Sequence, residues 1–203
     1  MQPATQRTIR VSCSSICSIR VRNGYLLTLN RNRLRKGERV LSPVGGALEW
    51  TDPGIVHRFG AMPESAASKD LRLFLPVDRL ACFGDWFRSR EGRELTPFRE
   101  VEEELVREMR LLEGFDPADC DARFTRVADF ERATDRTGLE NVMTHYFFEV
   151  WRLDFTPQIL GRLAARSEDP DRVVAIASET EILKGRCGGG EAIADNAVLL
   201  VNR

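Results

Sequence analysis

The densest chemistry in the chain lies in the run Arg99-Glu100-Val101-Glu102-Glu103-Glu104. On a 3.6-residue period, Glu100, Glu103 and Glu104 stand at i, i+3 and i+4 and share one face about one turn long. Carboxylates that close repel one another. A hard divalent cation, Mg²⁺ or Mn²⁺, is the partner that such oxygen ligands suit. The alternative is an exposed helix face laced with salt bridges, which Arg93, Arg99, Arg107 and Arg110 could supply.

The element that must carry this cluster is a helix from Thr96 to Leu112. Thr96 suits its N-cap and Pro97 its first position, where a missing N–H costs nothing. Phe98, Val101, Leu105, Met109 and Leu112 recur at steps of three and four along its apolar side. Upstream, Thr8 to Asn30 reads as two strand-like runs about Asn23-Gly24, a hairpin signal. Val40 to Gly46 reads as a short strand ending in Gly45-Gly46, where the backbone bends sharply or something comes close to it.

Trp50 to Lys69 is loop-rich, Asp70 to Leu75 is a strand ended by Pro76, and Val77 to Arg90 is a helix with Leu80, Phe83 and Phe87 on one face. Two antiparallel strands follow, Phe124 to Arg132 and Val142 to Leu153. A short helix near Pro157 to Arg166, a strand at Val173 to Ile176, a glycine-rich loop at Gly185 to Gly190 and a final helix from Glu191 to Val201 complete the chain. Mixed strands with few helices predict an α+β fold, with helices packed on a mixed sheet. Gly188-Gly189-Gly190 lacks the Lys-Ser/Thr of a phosphate cradle and reads as a flexible loop.

The whole chain, residues 1–203, reads as a single domain, and 42% hydrophobic with 30% charged residues is the makeup of a soluble globular protein. A net charge of -1 argues against duplex nucleic acid or an anionic membrane as partner. One basic cluster, Arg31, Arg33, Arg35, Lys36 and Arg39, could still grip phosphate oxygens, or simply be solvated. Met1 to Arg7 carries no apolar stretch of the kind a secretory signal needs, and no run approaches the ~20 apolar residues of a membrane span. A cytoplasmic location is expected. Cys13, Cys17, Cys82, Cys120 and Cys187 are odd in number and scattered, which fits reduced thiols. With His57 and His145 as the only histidines, no zinc-ligand spacing arises.

Glu91 stands eight residues before Arg99, and the series Glu91, Arg99, Glu100, Val101, Glu103, Glu104 resembles the central part of the Nudix box. In the usual box a glycine stands six residues before the first glutamate; here that place is Asp85. Gly46, which ends a strand as the box glycine should, stands forty-five residues before Glu91, so the box would be split by an insertion of 39 residues, covering about 50–90. Val106 and Glu108 replace the box's later glycine and closing aliphatic residue. This split form is similar to the SMODS-associated Nudix domain family over nearly the whole chain.

The resemblance implies a Nudix fold, a mixed sheet between helices, and Mg²⁺-dependent attack of water on a diphosphate bond in a nucleotide-type small molecule. Glu100, Glu103 and Glu104 would hold Mg²⁺ (or Mn²⁺), and Glu103 or Glu104 would also be the base. Arg99 would orient the cluster by pairing with Glu91, while Gly45 and Gly46 would let backbone amides approach phosphate. Arg39 is a further candidate for the substrate side. Among the glutamates of later loops, Glu131, Glu140, Glu179 and Glu181, the last is ranked first as an extra catalytic group. Tyr25, Trp50 and Phe147 are candidates for base stacking or for the core, and His145 is read as a core residue. The family's setting implies a role beside a cyclic-oligonucleotide synthase in bacterial antiphage defence, and a homodimer is common among Nudix proteins. The competing reading is a nucleotide-binding sensor with a Nudix fold and little turnover.

Overall fold

The computed structural model describes residues 7–171 and 173–201. The reading of the N-terminus at Met1 to Gln6 therefore lies outside the described residues. Among the described residues nine strands are present: β1 (Thr8–Val21), β2 (Gly24–Leu29), β3 (Val40–Ser42), β4 (Met62–Pro63), β5 (Arg72–Pro76), β6 (Cys120–Ala133), β7 (Met143–Phe155), β8 (Val174–Ala177) and β9 (Ala192–Ile193). Six α-helical segments accompany them: α1 (Arg31–Leu34), α2 (Gly54–Arg58), α3 (Leu80–Ser89), α4 (Phe98–Val101), α5 (Pro157–Arg166) and α6 (Glu179–Lys184). Hydrogen bonding runs in the order β4-β5-β1-β2-β3-β9, with β7 on β1, β6 on β7 and β8 on β2. The β3–β9 pair is parallel, while β1–β2, β1–β5, β2–β3, β2–β8 and β4–β5 are antiparallel. This is the mixed α+β sheet that the order of elements predicts.

The chain falls into two compact units, each drawn from three segments. The first comprises Met1–Ser15, Ala47–Leu95 and Val127–Glu149; the expected insertion, about 50–90, falls inside its middle segment. Its core is aromatic, with Phe59, Phe83, Trp86, Phe87 and Phe147 closing around Val11, Leu48, Leu71, Leu73 and Leu75. Phe83 sits 5.3 Å from Phe59 and 5.1 Å from Trp86, so α3 is held by ring packing as well as by area burial. Phe83 and Phe87 are fully buried and Leu80 partly so, as the spacing of three and four requires.

The second unit comprises Ile16–Gly46, Thr96–Arg126 and Val150–Arg203. Its core joins Ile19, Val21 and Leu26 of the hairpin to Val101, Leu105 and Met109, and to Leu163 and Ala164 of α5. None of the five cysteines, all of them described, is joined in a disulfide.

Several local expectations change in the folded chain. The hairpin turn is Arg22-Asn23, one residue earlier than Asn23-Gly24, because Val21 pairs with Gly24. Gly24 is a strand residue: a Cβ there would meet Ile176 Cγ2 at 2.6 Å and the Ala177 carbonyl at 2.8 Å, so glycine lets β8 close onto β2. The loop-rich stretch after Trp50 contains α2 and β4. α6, absent from the sequence reading, starts on a capping box made by Ser178 and Glu181. The expected final helix is instead β9, paired with Val40 and Leu41, followed by a tight 3₁₀ turn over Asp195–Leu200. Pairing with β3 wins there over an ambiguous short apolar pattern. No helix among the described residues is long and apolar enough to cross a membrane.

Candidate functional site

Phe98 to Glu108 is the helical segment that carries the glutamates, and it differs from the expected α-helix in both start and pitch. It begins one residue after Pro97, with Thr96 outside it, and it ends before Leu112. From Glu102 to Glu108 the turns widen to the π type, with Met109 N–H donating to the Glu104 carbonyl at 2.9 Å, five residues back. Such wide turns are rare and concentrate at functional sites.

The wider pitch decides which carboxylates meet. More residues per turn keep the i,i+4 pair Glu100 and Glu104 together and swing Glu103 aside. The Glu100 carboxylate lies against Gly46, where a Cβ would come within 2.5 Å of its Cδ. Glu104 accepts the Gly45 N–H and the Thr28 hydroxyl, each at 3.4 Å. Both side chains thus face the backbone of Gly45-Gly46. Glu103 is half-exposed and pairs with Arg99 at 3.3 Å, while the other arm of the Arg99 fork takes Glu100 at 2.7 Å. Arg99 therefore orients the cluster through the glutamates of its own helix.

The electrostatics of this corner are strongly negative. Burial first, and then the charge of Glu100, pushes the Glu104 carboxyl up to about 8, against the lowering bonds from Gly45 and Thr28. The buried Cys17 thiol is pushed up as well, by burial and then by Glu104 and Glu100. Glu100 is only 6% exposed. Two carboxylates held close, Glu100 buried and Glu104 partly buried, form a site that a cation would relieve.

The residues fit a hard divalent ion in kind, because the donors are all oxygens. Among the described residues no three His, Cys, Asp or Glu side chains form a ready cage. Mg²⁺ commonly uses one or two carboxylates and completes its shell with water and substrate phosphate, which Glu100 and Glu104 match.

A family model, described as the SMODS-associated NUDIX domain, matches residues 8–201. The chain belongs to the SMODS-associated NUDIX domain family. No match was found among curated proteins or among solved structures. For this NUDIX chain the family match supports hydrolase chemistry of the Nudix type, and divalent metals are typical of such domains.

Other predicted site residues of the NUDIX chain stand elsewhere. Glu181 accepts from the Ser178 N–H and hydroxyl and from the Gly188 N–H, bonds that lower its pKa and leave it engaged with the start of α6. Arg39 is exposed and donates to the Asp171 carbonyl at 3.0 Å. Glu91 is exposed, and the buried residue of its segment is Arg93. Tyr25, Trp50 and Phe147 are buried core residues. His145 is half-buried, with Glu131 Oε1 at 3.2 Å and Asp129 Oδ1 at 3.3 Å.

Thr28 is the site residue that sequence reasoning missed. It lies seventy-six positions from Glu104, in a strand pattern that marks it only as a β residue.

Gly46→Ala should therefore disable the site. The added methyl must expel the Glu100 carboxylate from its buried place, which breaks the Arg99 clamp. The expected result is loss of about 2–3 kcal/mol in urea unfolding, together with weakened Mg²⁺ binding by calorimetry. Unchanged stability and metal affinity would show that Glu100 is not held against Gly46.

Proposed function

We propose that this chain is a Mg²⁺-dependent hydrolase of a diphosphate bond in a nucleotide-type molecule. One observation supports the reading above all: Glu100 and Glu104 crowd together beside Gly45-Gly46, with Glu104 pushed up to about 8. Glu100 and Glu104 would hold the ion, with Glu103 as the more exposed third ligand. When bound, the metal neutralises phosphate charge and lowers the pKa of a coordinated water.

The protein groups have separate tasks. Gly45-Gly46 seats the two carboxylates, Gly46 by leaving room for Glu100 and Gly45 by donating its N–H to Glu104. Arg99 fixes the direction of the Glu100 and Glu103 oxygens. Glu103, half-exposed, or Glu104, near its titration point at neutral pH, takes the proton of the attacking water. The family description associates the domain with SMODS proteins. We propose that the activity works beside a cyclic-oligonucleotide synthase in bacterial antiphage defence, a reading the family description supports.

A second reading is a nucleotide sensor without turnover. It is favoured by the Arg99 clamp, which occupies Glu100 and Glu103 at once. The test is product release from ADP-ribose, NAD, dinucleoside polyphosphates, nucleoside triphosphates and cyclic oligonucleotides, with Mg²⁺ or Mn²⁺. Metal-dependent cleavage of one class is the expected result. Ligand binding in calorimetry with no product would replace the hydrolase by the sensor.

A further inference from the structure

A second cluster of charges lies in the first unit and shares no residue with the glutamate site. Arg10, on β1 and only 2% exposed, grips one oxygen of Glu64 through Nε at 2.9 Å and Nη2 at 2.7 Å, and donates to the Thr144 hydroxyl at 3.1 Å. The other Glu64 oxygen faces Nε of Arg136, in the turn between β6 and β7. Arg72 donates to Asp70 at 2.6 Å. Glu64, Asp70, Arg72 and Arg136, with Ser65 and Ser68, line a cavity of about 240 Å³.

The charges here do not balance. Three guanidinium groups face two carboxylates, and the Glu64 charge is already engaged by the buried fork of Arg10. Each guanidinium carries five donors, and one nitrogen of Arg72 and one of Arg136 meet these carboxylates. Burial lowers the pKa of Arg72, with Asp70 and Glu64 opposing the like charges of Arg136 and Arg10. Planar guanidinium forks beside two hydroxyls suit an oxyanion that accepts several hydrogen bonds at once.

We propose that this cavity binds a phosphate group, with Arg72 and Arg136 as its principal donors and Ser65 and Ser68 beside them. Arg10 and Glu64 act as the buried brace that holds Arg136 over the cavity. The phosphate is either inorganic or the terminal group of a nucleotide, since the residues contact the same oxygens in both cases.

The experiment is calorimetric titration of the full chain with inorganic phosphate and, separately, with 5′-AMP, against chloride at matched ionic strength. Arg72→Gln and Arg136→Gln should each weaken phosphate binding about tenfold or more. Arg136→Lys, which keeps the charge but loses the fork, should fall between. Because Arg136 is an exposed residue of a turn, its variants should melt like the wild type. Glu103→Gln/Glu104→Gln should bind phosphate normally, which separates this site from the proposed catalytic one. Tighter binding of 5′-AMP than of phosphate would assign the source to a nucleotide, and equal binding would assign it to the free ion. Wild type that binds phosphate no better than chloride, or arginine variants that bind as wild type does, would overturn the proposal.

Discussion

A Glu103→Gln/Glu104→Gln chain is expected to lose at least about 100-fold of its metal-dependent turnover while keeping its fold. The two amides preserve shape and remove the charge that a divalent ion needs. Wild-type turnover in this variant would remove both glutamates from the mechanism. Glu104→Gln alone should also change how stability depends on pH. The folded Glu104 carboxyl titrates at about 8 against an ordinary 4.5, so the folded state binds its proton more tightly than the unfolded state does. Stability is therefore greatest below the ordinary value and declines as pH rises through 4.5 toward 8, where the carboxylate must ionise beside Glu100. After allowance for residual solvent access, the decline is on the order of 3 kcal/mol. Urea midpoints measured with chelator at about pH 5 and about pH 8.5 should fall in wild type and stay level in Glu104→Gln. Adding Mg²⁺ should reverse the wild-type trend, because metal ligands must be deprotonated. Equal slopes for the two chains would show that Glu104 titrates normally.

The second large effect concerns stability alone. Arg93 and Glu149 are both fully buried and pair at 2.7 Å, and Arg93 also donates to the carbonyls of Phe87 and Glu94. Its guanidinium lies 4.1 Å from the Phe87 ring centroid. Arg90 is 3.8 Å from the same Glu149 oxygen. Removing Glu149 leaves the buried Arg93 charge without its carboxylate, and removing Arg93 leaves Glu149 with only the longer Arg90 contact in place of that bond, so Glu149→Leu or Arg93→Met should each cost about 3–5 kcal/mol in urea unfolding. The double variant leaves no stranded charge and should cost less than either single change, although the Phe87 and Glu94 carbonyls lose their donor. If the two single losses simply add in the double variant, the pair is not coupled as the distance implies.

The glutamate cluster was visible in the sequence because its members lie within five positions of one another. α3 and α5 were legible for the same reason: Phe83 and Phe87 mark one face, and Pro157 begins a helix that closes at Arg166. β6 extends beyond the sequence reading at both ends, where exposed Asp121, Arg123 and Ala133 interrupt the apolar pattern, while the ends of β7 differ from it by one and two residues. Where the sequence pattern was short and apolar, as at Ala192-Ile193, it could not tell strand from helix, and the partner Val40-Leu41 lies far away in the chain.

The sequence by itself determined the α+β class and marked the glutamates as candidates for metal, because periodicity and residue type are local properties. Only the tertiary structure decided how those residues act. The widened turn sets Glu104 beside Glu100, Gly45 and Thr28 restrain its proton affinity from fifty-nine and seventy-six positions away, and Arg93 finds Glu149 fifty-six positions on. Burial and charge pairing at such separations depend on which surfaces fold together, and neither is written in any one stretch of chain.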